Sequence, residues 1–209
     1  MGIPSECKMP DLSGLDSSLK GRLMVQALLG DRGVSQEVGL YRREFIRLVD
    51  KASDEYQEAR AAILAQIAEA KRPAEEMLKH GRQIFMFDFT DHMETCFDAV
   101  RRLYKLLDKI KSEKESPEIP TELLELVEAK TSSIAHVRNA AQHMDERIEK
   151  GERVAGEPIM LTLNKNEDGV VLLKHELKFE ELAMVLKKMH EIAVHILTVK
   201  KMQAEEPVV

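Results

Sequence analysis

Ile134-Ala135-His136-Val137-Arg138-Asn139-Ala140-Ala141-Gln142-His143-Met144-Asp145-Glu146-Arg147-Ile148 is the stretch around which the chain is organised. Ile134, Val137, Ala141, Met144 and Ile148 recur at steps of three and four, the spacing that lines one face of a helix. The opposite face carries Ser132, His136, Asn139, His143 and Arg147 at the same rhythm. A solvated face is normally built of Glu and Lys, as Glu125, Glu128 and Lys130 show earlier in the segment. This polar stripe is of another kind. The spacing predicts a helix over Pro120 to Lys150 with a packing side and a functional side.

The same period extends outward. Leu40 or Tyr41, Phe45, Leu48, Ala52, Tyr56, Ala59, Ile63, Ile67 and Ala70 form the stripe of a helix starting at Ser35, a plausible cap residue. That length suits a bundle. Pro73 should kink or end it, with a short continuation to His80 closed by Gly81. Phe89, Met93, Cys96 or Phe97, Val100, Leu103 or Tyr104, Leu107 and Ile110 predict a further helix from Asp88. Ile84 to Phe87 stays open, because Phe85, Phe87 and Phe89 alternate as in a strand. Asp16 to Leu29 reads as a short helix facing inward through Leu19, Leu23, Ala27 and Met24, and Gly30 and Gly33 end it. Lys111 to Pro120 is a polar loop.

After Gly151 the period changes. Pro158 to Leu163 alternates, Val170 to Leu173 is apolar, and Asn164 to Gly169 between them is rich in turn residues. This predicts a β-hairpin over about 158–176. A last helix follows from Phe179 to Val199, through Phe179, Leu182, Leu186, Met189, Ile192 or Ala193, and Ile196. The expected fold is mainly α: an up-and-down bundle of four main helices with one β-hairpin between the third and fourth. Residues 16–200 form one domain, with an extended tail at 1–15 and a frayed one at 201–209.

The 209 residues are 44% hydrophobic and 33% charged, an ordinary balance for a water-soluble protein. With no Trp and 11 Met, the core is expected to be aliphatic. No apolar run approaches a membrane span, and residues 1–10 lack the layout of an export signal. Cys7 and Cys96 are too few for a disulfide framework, which points to the cytoplasm. A net charge of −6 disfavours broad nucleic-acid binding while leaving room for a local RNA site.

Metal and cofactor chemistry finds no pattern. His190 and His195 are five apart, about 140° around a helix, whereas the zinc-protease helix needs four, about 40°. No His follows a Glu by three residues, as carboxylate-bridged di-iron bundles require. His92 and Cys96 have ligand spacing but no second pair, and phosphate-cradling Gly loops and nucleophile elbows are missing from the sequence. No cofactor is expected.

Arg138-Asn139-Ala140-Ala141-Gln142-His143 resembles the signature of the HEPN superfamily, an Arg, a polar residue after it, and a His four to six positions on. The resemblance covers these residues and the all-helical layout; the hairpin is an addition to the family's compact bundle. Its active members are metal-independent endoribonucleases, so it implies His143 as general base or acid, Arg138 holding the scissile phosphate, and Asn139 orienting the ring. His136, Arg147 and Ser132 would extend the binding surface. Arg138 and His143 lie about 140° apart on one helix, a separation that a twofold dimer would resolve, and family members are typically such dimers. Other members have the fold without nuclease activity. A non-catalytic protein-interaction or regulatory module is therefore the second expectation.

Overall fold

The computed structural model describes residues 4–15, 19–29, 35–113, 118–151, 158 and 160–198. Within them the order is α1 (Leu19–Leu29), α2 (Gln36–Ala70), α3 (Ala74–His80), α4 (Met86–Ser112), α5 (Thr121–Gln142), α6 (Met144–Glu149), β1 (Thr162–Leu163), β2 (Gly169–Leu172), β3 (His175–Lys178) and α7 (Phe179–Thr198). The fold is mainly α, built on the four long helices α2, α4, α5 and α7, with a small sheet late in the chain. No described helix is long and apolar enough to cross a membrane. The expected helix ends at Gly30, Gly33 and Val199, the strand position Ile159 and the tail 201–209 lie outside the described residues.

Ser35 caps α2, its Oγ accepting the Val38 N–H at 3.3 Å. Pro73 opens α3 after a break, and Gly81, at φ 77°, follows its end. The main interface lies between α2 and α4. Phe45, Leu48, Ala52, Tyr56 and Ile63 meet Phe89, Met93, Phe97, Val100 and Leu103 in the core, all fully buried. α7 closes it with Phe179, Leu182, Leu186, Met189 and Ile192, and the Phe179 ring stands edge-on to Phe89 at 6.3 Å.

The ambiguous segment resolves as loop, then helix. Two buried side chains on α2 hold it: Gln66 Oε1 accepts the Phe85 N–H at 2.8 Å, and Glu69 Oε1 accepts the Gln83 N–H at 3.0 Å. α4 then begins at Met86. Phe85 and Phe89, four apart, turn inward while Phe87 faces out, a helical pattern and not a strand's.

Three expectations need correction. The predicted hairpin is a three-stranded antiparallel sheet in the order β1-β2-β3, with Thr162 opposite Val171 and Val170 opposite Leu177. The third strand is entered through Leu173-Lys174, with Leu173 at φ 55°. The Asn164–Asp168 turn is locked by Asn164, whose Nδ2 donates to Asp168 and Glu176 at 2.6 Å each. Gly169 is required there, because a Cβ would sit 2.4 Å from the Leu177 carbonyl oxygen.

The central helix is not continuous. α5 ends at Gln142, and α6 starts anew with Asp145 and Glu146 in its first turn, where acidic side chains favour a helix start. Ile134, Val137 and Met144 are buried as the stripe predicts, but Ala140 is buried more deeply than Ala141, and Ile148 beyond the break is exposed. In α1, Leu19 is buried and Leu23 half-buried, whereas Met24 is exposed.

Residues 4–15 are irregular but fastened down. Met9 and Leu12 are buried in the core. Arg60 Nε donates to the Met9 carbonyl at 3.1 Å, and Gln57 Nε2 to Asp11 at 3.0 Å. At the other end Ser5 Oγ donates to Glu167 at 2.7 Å and Lys8 to the Asn166 carbonyl at 2.8 Å.

Candidate functional site

α5 packs against α4, α7 and β3 with Val137 and Ala140 buried, which sets where its polar side chains emerge. Arg138 comes out beside α4. Its Nε donates to Asp98 Oδ1 at 2.7 Å, and Gln142 Nε2 reaches the same oxygen at 3.2 Å. Arg138 Nη1 lies 3.4 Å from the side-chain carbonyl of its neighbour Asn139. A niche of about 80 Å³ lies here, lined by Glu94, Phe97, Asp98, Arg138, Ala141 and Gln142. It is well below the roughly 300 Å³ of a typical small-molecule site. Its charge is mixed, and burial, with Asp91 and Asp98 nearby, raises the Glu94 carboxyl above its ordinary range.

His143 does not line this niche. It is the junction residue between α5 and α6, its N–H donating to the Asn139 carbonyl at 3.1 Å. Its exposed ring turns to α6, with Nδ1 3.2 Å from Glu146 Oε1. The Asn139 side chain therefore meets Arg138 and not the His143 ring. Within one chain Arg138 and His143 each have their own acidic partner.

The residues expected to extend a binding surface divide in another way. His136 emerges on the side of α5 away from Arg138, since two residues turn a helix by about 200°. Its ring stacks on that of His175, the first residue of β3, with centroids 5.3 Å apart and planes at 29°. Arg147 of α6 acts on the same His175. Burial, then the positive charges of His136, Lys174 and Arg147, hold His175 below the ordinary histidine range. Ser132 is exposed.

Sequence reasoning missed Asp98, His175 and Lys174. Asp98 lies 40 residues from Arg138 and His175 lies 39 from His136, and no local spacing announces either. Gln142 stood inside the motif without a role.

The other candidates are structural. Cys96 is buried, with its Sγ 3.4 Å from the Ala52 carbonyl, while His92 reaches Glu55 at 2.8 Å. His190 is buried, and His195 Nε2 lies 2.8 Å from the Glu118 carbonyl. Among the described residues no three His, Cys, Asp or Glu side chains are grouped to hold a metal. Comparison with protein-family models, curated proteins and solved structures gave no match to this chain.

Proposed function

We propose that this chain is a HEPN-like helical-bundle protein acting as a non-catalytic protein-interaction or regulatory module. One observation carries the reading. The Arg138 guanidinium is held by Asp98, and Gln142 shares that carboxylate oxygen, so the group that would grip a phosphate already has an anion. The niche beside it is too small for a nucleotide and has Glu94 on its wall. The contact surface is the exposed end of α5 and α6, where Asn139, His143 and the apolar Ile148 stand in solvent. Its first partner is a second copy of the chain, in a homodimer across that face. The free thiols Cys7 and Cys96 fit a reducing, cytoplasmic setting.

A second reading, a metal-independent ribonuclease, has its own support. His143 is exposed and has one ring nitrogen against the Glu146 carboxylate, which suits the other nitrogen to moving a proton. One experiment separates the two. The purified protein is incubated with a mixed RNA pool in excess chelator, beside light scattering at micromolar concentration. A dimer with intact RNA is the expected result. Cleavage to 2′,3′-cyclic ends that His143→Ala abolishes would replace the module with the nuclease, and a monomer would remove the homodimer.

A further inference from the structure

The chain has a net charge of −6, and many of its described cations, Arg47, Arg102, Lys130 and Arg138 among them, are paired with carboxylates. One basic cluster draws on several elements. The rings of His136 on α5 and His175 at the start of β3 stack where the sheet packs on α5, Lys174 precedes His175 in the β2–β3 turn, and Arg147 on α6 is near enough for its charge to act on His175. The two imidazoles lie ring on ring, and neither has a hydrogen-bond partner among the described residues. Arg147 and Lys174 likewise form no ion pair among them. Glu176, the next residue of β3, points to the other face of the strand, where Asn164 Nδ2 holds its carboxylate at 2.6 Å. The charges acting most strongly on His175 are all positive.

Such an arrangement disfavours protonation of its own rings. Four cationic or protonatable groups from three elements disfavour one another's charge, and their side-chain donors have no partner among the described residues. The tight turn, with Leu173 at φ 55°, sets the backbone at Lys174 and His175, and the stacked rings keep His175 beside α5. An anion placed among them would relieve the repulsion and draw a proton onto each ring. A compact dianion does this best, because it meets a fork from Arg147, a point charge from Lys174 and two ring N–H donors. A long polyanion would also face the acidic remainder of the surface.

We propose that His136, Arg147, Lys174 and His175 form a binding site for a phosphate dianion, either free phosphate or the phosphate monoester of a phosphorylated partner chain. The site is separate from the Arg138–Asp98 niche and does not rest on the interaction reading.

The test follows the histidine ring signals by NMR against pH, in chloride and then in inorganic phosphate at equal ionic strength. Phosphate should raise the midpoints of His136 and His175 together by about half a pH unit or more, because the bound dianion favours the charged rings. His92 and His195 should stay in place. Arg147→Gln and Lys174→Gln, both surface changes checked by thermal melting, should each weaken phosphate binding by roughly three- to tenfold. Arg138→Ala should leave it unchanged, which separates failure here from failure of the reading above. A phosphoserine peptide that binds tenfold or more tighter than inorganic phosphate, while its unphosphorylated form does not bind, identifies a partner's phosphate. Equal affinity identifies free phosphate. Unmoved midpoints, an equal rise in acetate, or tighter binding of single-stranded RNA than of phosphate would each overturn the proposal.

Discussion

Glu94 shows at the scale of one residue how this surface balances charge. Its carboxyl is half-buried on α4 between Asp91 and Asp98, and burial is the larger of the causes that raise it. A carboxyl whose folded value lies above its unfolded one is strained in the charged form, so at neutral pH it costs stability. That cost fades as pH falls through the raised folded value and is gone below the ordinary glutamate range, about 4.3. Glu94→Gln should therefore raise the melting temperature at pH 7 by about 1–3 °C, and the gain should vanish by about pH 4. Melts of both proteins at the two pH values check this. A loss at pH 7 would mean that Glu94 is needed as an anion. His175 has the opposite sense: its folded value is depressed, so the stability linked to its neutral form is present above the ordinary histidine value and lost as pH falls through the folded one.

At the scale of the element, the central helix is held by apolar burial and not by its charges. Val137 is fully buried between α5 and its neighbours, whereas Glu128 makes an exposed ion pair with Lys111 at 2.5 Å. An unpartnered carboxylate at Val137 costs several kcal/mol, comparable to the stability of a whole domain. An exposed pair contributes about 1 kcal/mol or less. Val137→Asp should unfold the bundle, and Glu128→Ala should melt within a few degrees of the parent. Urea titrations give both answers, and a cooperative transition in Val137→Asp would mean that the packing face of α5 is assigned wrongly. The long helices were legible because burial imposes the 3.6 period on twenty or more residues at once, as at Phe45, Leu48, Ala52 and Tyr56. β3 was not, because Leu173-Lys174 lacks the Gly, Asn or Asp that normally marks a tight turn. The break at His143 carries no Pro or Gly, so the apolar spacing in the sequence continues to Ile148 without a stop signal. The candidate site was half legible: α5 supplied Arg138 and His136, but their partners Asp98 and His175 come from elements that only the tertiary fold brings near.

For the whole molecule, the telling segment is the one with no periodicity. Residues 4–15 run from the sheet's Asn164–Asp168 turn to the middle of α2, and so join two parts that the chain separates by about a hundred residues. Two kinds of contact hold this strap. Met9 and Leu12 are buried in the core, while Ser5 and Asp11 make hydrogen bonds in solvent. Gln57 and the Ser13 amide keep the Asp11 carboxyl well below the usual carboxylate range, so that bond persists in mild acid. Buried apolar truncations cost roughly 2–5 kcal/mol, solvent-exposed hydrogen bonds about 1 kcal/mol or less. Met9→Ala and Leu12→Ala should each lower the melting temperature by on the order of 5–15 °C, and Ser5→Ala by no more than about 3 °C. If the strap belongs to the same cooperative unit as the bundle, the loss appears as one shifted transition seen alike by circular dichroism and by amide exchange in β2 and β3. An early separate loss of protection in the sheet, with the helices unmoved, would instead make the strap and sheet a subunit that opens by itself.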